Sequence, residues 1–121
     1  EIQFYFLAQE INKKCPQNNV KVLYFYDEKK DDTQGDILAY LKKRFGGRLQ
    51  IFSLNSQFKQ EPMIGTLLTY HTITQFPAVV IEETVFQGPR STRQLMEDIC
   101  WEFMKMETEV PEDCVVLLGR T

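Results

Sequence analysis

Histidine occurs once in this sequence, as His71, and that scarcity removes much catalytic chemistry. A His-rich metal site needs more than one imidazole and is excluded. A catalytic role for His71 itself would need an activated nucleophile beside it, and none can be named. Cysteine is nearly as rare: Cys15, Cys100 and Cys114 lie far apart and no histidines accompany them, so none belongs to a metal-type or redox-type pair. Positive charge is not in excess either. The formal net charge is −3 with Lys and Arg spread along the chain, which gives no electrostatic reason to expect nucleic acid as a partner. No apolar run approaches the roughly 18 residues of a transmembrane helix. The first residue is Glu1 rather than Met, which reads as a processed chain or a piece of a longer one. On that reading the compartment is open, with an extracytoplasmic or secretory-lumen setting slightly favoured.

What is present is enough apolar residue for a core. Hydrophobic residues make up 43% of the chain, which fits one globular domain over residues 1–121, with no linker or repeat to divide it. Phe4, Leu7, Ala8, Ile11 and Cys15 share one helical face, and Pro16, Asn18 and Asn19 stop it, giving an N-terminal helix within residues 1–19. Ile2 and Phe6 fall on the opposite face, where solvent alone would not call for them. They are read as an interface for a neighbouring domain, a membrane surface or a second copy of the chain. VKVLYFY, Val20–Tyr26, is a nearly continuous apolar run, as expected of a strand buried on both sides. Residues 27–36 then form a polar, charged loop. Ile37, Leu38, Leu41 and Phe45 make the next helical stripe, closed by Gly46 and Gly47.

A second strand covers residues 48–55, and a helix with Pro62 in its first turn carries Ile64, Leu67 and Leu68. His71 is read as a polar residue ending that helix. Tyr70, Thr72 and Thr74 could line a groove, with core packing favoured for Tyr70. Pro77 cannot lie within a central strand but can start one. After it, AVVIE and TVFQ are too close together for anything but a hairpin. Ser91 and Gln94 form a capping box, and the helix they open buries Leu95, Ile99, Phe103 and Met106. Residues 20–106 thus make the core of the domain, and residues 107–121 a tail with a polar stretch followed by CVVLL, Cys114–Leu118. Strands alternating with helices, then a hairpin, predict an α/β fold, with a mixed four-stranded sheet and helices on both faces.

This order resembles the thioredoxin-like fold family, a three-layer α/β/α sandwich, over residues 20–106. VKVLYFYDE is similar to the strand leading into the thioredoxin active-site loop. Tyr70-x-x-Ile73-x-x-Phe76-Pro77 resembles the family's approach to its cis-proline, and AVVIEETVFQG the hairpin that follows, with Gly88 before the last helix. The resemblance implies a cis Phe76–Pro77 bond, with Phe76 and the backbone of residues 74–76 turned outward beside the loop. The departure is in the loop itself. Where thioredoxins carry Cys-x-x-Cys, this chain has Asp27-Glu28-Lys29-Lys30-Asp31-Asp32, and dithiol exchange needs a thiolate beside a second thiol. The acidic residues suit the lead-in to a helix N-terminus. A weak divalent-cation site is the other reading, but the spacing is not that of an EF-hand loop.

The expected function is that of a non-catalytic, redox-inactive binding or scaffold domain, similar to the cysteine-free domains of protein disulfide isomerases. Its groove would comprise Thr74, Gln75, Phe76, Pro77, Asp27 and Glu28, and its partner would be a polypeptide or a neighbouring domain. No cofactor or metal is expected. The alternative is a thiol-cofactor-dependent enzyme on the same fold, a glutathione-type transferase or peroxidase. No active-site Cys or Ser after the first strand, and no basic cluster around Pro77, supports it. Cys100, beside its helix's core stripe, is expected to be a buried inert thiol. In an oxidising compartment Cys15 and Cys114, at the two flanks of the domain, are candidates for a disulfide, with three free thiols as the competing arrangement.

Overall fold

Strand β1 (Val20–Tyr26) is the centre of the molecule, as its unbroken apolar sequence requires. The structure is a computed structural model, and it describes residues 19–30, 32–58, 61–106 and 110–118. The expected N-terminal helix, with Ile2, Phe6 and Cys15, lies outside the described residues. From β1 the chain passes through helix α1 (Thr33–Phe45), a 3-10 turn (Gly46–Arg48), strand β2 (Leu49–Asn55) and helix α2 (Pro62–Tyr70). It continues through β3 (Ala78–Ile81), β4 (Thr84–Gln87), α3 (Thr92–Lys105) and α4 (Glu112–Leu118). The four strands lie in the order β2-β1-β3-β4. β2 runs parallel to β1, from Val20 opposite Leu49 to Tyr26 opposite Asn55. β3 is antiparallel to β1, with Phe25 opposite Ala78, and β4 returns antiparallel to β3.

The alternation of side chains along β1 divides the core in two. Val20, Val22 and Tyr24 pack with Leu38, Leu41 and Phe45 of α1 and with Leu95, Ile99 and Phe103 of α3. Leu23 and Phe25 face the other way, onto Ile64 and Leu67 of α2. Helices therefore cover both faces of a mixed sheet, the expected three-layer α/β/α arrangement. Fully burying a side chain such as Leu23 or Phe25 contributes about 1.5–3 kcal/mol, so a central strand with two covered faces is the main source of stability. Lys21 is the exception in the run. It is 4% exposed, its ammonium has no hydrogen-bond partner among the described residues, and burial lowers its pKa, with Glu82 in the β3–β4 turn opposing the shift.

Several expectations are corrected. Helix α1 begins at Thr33, inside the stretch read as loop, because Thr33 and Gln34 continue its first turn ahead of the apolar stripe. Gln34 is buried, and it holds the backbone of Arg90 through a donated bond of 3.1 Å and an accepted one of 2.7 Å. Tyr70 is not core but 78% exposed, since α2 turns Ile64 and Leu67 to the sheet instead. Met106 follows the last turn of α3 as its C-cap and is only half-buried. The capping box at Ser91 and Gln94 is formed as expected.

The tail holds a further helix, α4, and it changes the cysteine pairing. Cys114 is bonded to Cys100, not to Cys15, and both are fully buried. The physical reason is placement: α4 packs against α3, where Cys100 faces the same cluster as Phe103. Cys100 is therefore not the inert free thiol expected of it. CVVLL is only partly a spare apolar surface, because Leu117 packs on the core while Val116 is 77% exposed. No helix among the described residues is long and apolar enough to cross a membrane.

Candidate functional site

Pairing of Phe25 with Ala78 sets the site, because it places the residues before β3 beside those after β1. The Phe76–Pro77 bond is cis, as the family resemblance implied. The loop after β1 turns at once: the Lys30 amide donates to the Asp27 carbonyl at 2.9 Å, and the Lys29 amide to Asp27 Oδ1 at 3.0 Å. That turn carries the Lys30 side chain across the gap, where its ammonium donates to the Phe76 carbonyl at 3.1 Å. Loop and proline segment are thus joined through a cation and a backbone carbonyl, and both groups are open to solvent.

Two further contacts fix the shape. The hydroxyl of buried Tyr24 donates to Asp32 Oδ1 at 2.7 Å, tying the end of the loop to β1. Burial raises the Tyr24 pKa far above the ordinary phenol value, and the Asp32 carboxylate adds to the shift. Gly35 leaves room for this arrangement, since a Cβ at that position would lie 2.8 Å from Asp32 Cγ and closer still to Oδ1. On the other side of the site, Gln87 of β4 holds the approach to Pro77. Its Oε1 accepts from the amides of Thr74 at 2.8 Å and Gln75 at 3.0 Å, and from the Thr74 hydroxyl at 3.3 Å. Its Nε2 donates to the Thr72 carbonyl at 3.4 Å. Gly88, with φ of 88°, turns the chain so that its amide meets the Pro77 carbonyl at 2.8 Å.

The proposed groove residues are therefore only partly brought together. Phe76 and Pro77 adjoin the loop that carries Asp27 and Glu28, as expected. The amides of Thr74 and Gln75 are not turned outward to a partner but are occupied by Gln87. The Phe76 ring is not outward either: it is half-buried against the α2-side cluster, and its carbonyl takes the contact with the loop. Sequence reasoning missed Lys30 and Gln87. Lys30 is 46 residues from its acceptor, and no local pattern signals a pairing at that range. Gln87 carried one readable signal, its place in β4 directly before Gly88, on the strand paired with the proline's own.

Chemically, the site offers carboxylates, ammonium groups and one open carbonyl. Residues 27–32 contain no sulfur, and the disulfide joins α3 to α4. Among the described residues no group of three or more His, Cys, Asp or Glu side chains is placed to hold a metal ion. His71 is the C-cap of α2 and stacks edge-on with Tyr70, with ring centroids 4.9 Å apart.

No family model matches the sequence, and no curated protein does. Solved structures do. A malarial protein is 17% identical, with 73% of this chain and 96% of that one covered, at a TM-score of 0.56. Chloroplastic thioredoxin z is 14% identical, covering 83% and 90%, at a TM-score of 0.61. A thioredoxin-2 described as a component of malaria parasite protein secretion machinery is 18% identical, covering 66% and 80%, at 0.51. At such identities the likeness is one of fold: this chain has a thioredoxin-like fold.

Proposed function

We propose that this chain is a non-catalytic binding or scaffold domain, holding a polypeptide or a neighbouring domain at the surface beside the cis-proline. The observation that carries the reading is the contact between the Lys30 ammonium and the Phe76 carbonyl. Where a thioredoxin presents a thiolate to its cis-proline, this loop presents a charge that neither attacks nor leaves a disulfide. A lysine at an exposed carbonyl is readily displaced, and the freed carbonyl can accept from the amide of an extended partner chain. Main-chain hydrogen bonds of that kind give affinity with little sequence demand.

The test is an insulin-reduction assay with a dithiol as electron donor, run beside a calorimetric titration with glutathione. The expected result is turnover at background and no heat of binding. Turnover that disappears when one cysteine is replaced by serine would assign the activity to that thiol and end the reading. Measurable glutathione binding would favour the thiol-cofactor-dependent enzyme instead.

A further inference from the structure

The disulfide has no part in the proposed site; it joins two helices that pack on one another at the end of the described chain. Cys100 lies on α3 and Cys114 on α4, 14 residues apart in sequence. Helix α4 is seven residues long. Isolated helices shorter than about 12–15 residues are marginal in water, so α4 depends on what docks it. Apart from the disulfide, the docking contacts among the described residues are modest. Asp113 makes a two-pronged ion pair with Arg44 of α1 at 2.8 and 3.1 Å, but it lies at the surface, where such pairs are weak. Val110 and Leu117 are only half-buried against the core, and Val116 faces solvent. The two sulfurs, by contrast, have no exposed surface at all.

We propose that Cys100–Cys114 is a redox latch. Oxidised, it holds α4 against α3 and covers the surface around Cys100; reduced, it releases α4 and opens that apolar surface to solvent. The reductant is a dithiol. Its first thiolate attacks one sulfur, breaking the S–S bond and forming a mixed disulfide; its second thiolate then displaces the protein sulfur and leaves as a cyclic disulfide. Two electrons and two protons pass to Cys100 and Cys114, which become thiols. Because both sulfurs are buried, attack follows a local opening of α4 rather than unfolding of the sheet. The latch is independent of the reading given for the proline site.

The experiment is hydrogen exchange on the full chain carrying Cys15→Ser, which prevents reshuffling, before and after dithiothreitol. Trp101, the sole tryptophan and the neighbour of Cys100, supplies a fluorescence signal from the same place. Reduction is expected to speed exchange of the α4 amides by about tenfold or more, to shift Trp101 emission, and to leave β1 and β3 protected. Unchanged protection of α4 overturns the latch. So does loss of protection in β1 and β3 together with α4, because the disulfide would then hold the whole fold. Cys100→Ala with Cys114→Val removes the bond but keeps the site apolar. If α4 remains protected in that variant under oxidising conditions, packing alone holds it and the latch is rejected.

Discussion

At Asp32 a single carboxylate decides how the loop enters α1, because it serves the Tyr24 hydroxyl and occupies the space that Gly35 leaves open. Alanine at position 35 would favour the helix by about 1 kcal/mol over glycine. Its methyl group would also drive the exposed Asp32 carboxylate away, leaving a buried hydroxyl without its acceptor, at about 1–3 kcal/mol. We therefore expect Gly35→Ala to destabilise the chain in urea melts, and to become neutral or stabilising in a Tyr24→Phe background. Equal losses in both backgrounds would show that the Tyr24–Asp32 bond is not what Gly35 protects. Gln87 allows a similar local test. Gln87→Ala should accelerate amide exchange at Thr74 and Gln75, whose acceptor it removes, and leave the Gly88 amide, bonded to Pro77, unchanged. The cost in stability should be small, about 0.5–1.5 kcal/mol, because solvent can replace the lost acceptor.

At the scale of elements, His71 gives α2 a pH-dependent end. Burial holds its imidazole below the ordinary 6.5, with Glu83 partly opposing. The folded chain therefore takes up the proton less readily than the unfolded chain, and stability falls as the pH drops through 6.5 towards the lowered value. Glu82, raised by burial, contributes the opposite slope, and it is common to parent and variant. On going from about pH 7.5 to 5.5 the urea midpoint of the parent should fall more, or rise less, than that of His71→Gln. An identical difference would mean that His71 is equally protonated in both states. Elements were also where the sequence was most readable. The run Val20–Tyr26 shows two-sided burial, and Ser91 with Gln94 shows a helix start, because both signals are local. Tyr70 misled because an aromatic ring at a helix end can pack on the core or face outward, and the docking of α2 decides which. Tyr70 lies about 120° round the helix from Ile64, which with Leu67 docks α2 on the sheet.

At the scale of the molecule, fold and site differ in how far they could be read. The mixed four-stranded sheet was legible from strands alternating with helices and from the closing hairpin, whereas the order β2-β1-β3-β4, with β3 antiparallel to β1, was not read. The contacts that give the site its character join distant segments, Lys30 to Phe76 and Gln87 to the turn before Pro77, and the Cys100–Cys114 bond away from the site was equally hidden. Each depends on which way an element faces, and that becomes fixed only once the elements pack. The partner surface is the central claim, and amide shift mapping tests it most directly. The labelled chain is titrated with reduced, carboxymethylated ribonuclease A, an unfolded polypeptide without thiols. Shifts concentrated at residues 27–30, Phe76 and Ala78 are predicted. Shifts centred on any other surface, or none at saturating polypeptide, would contradict the account.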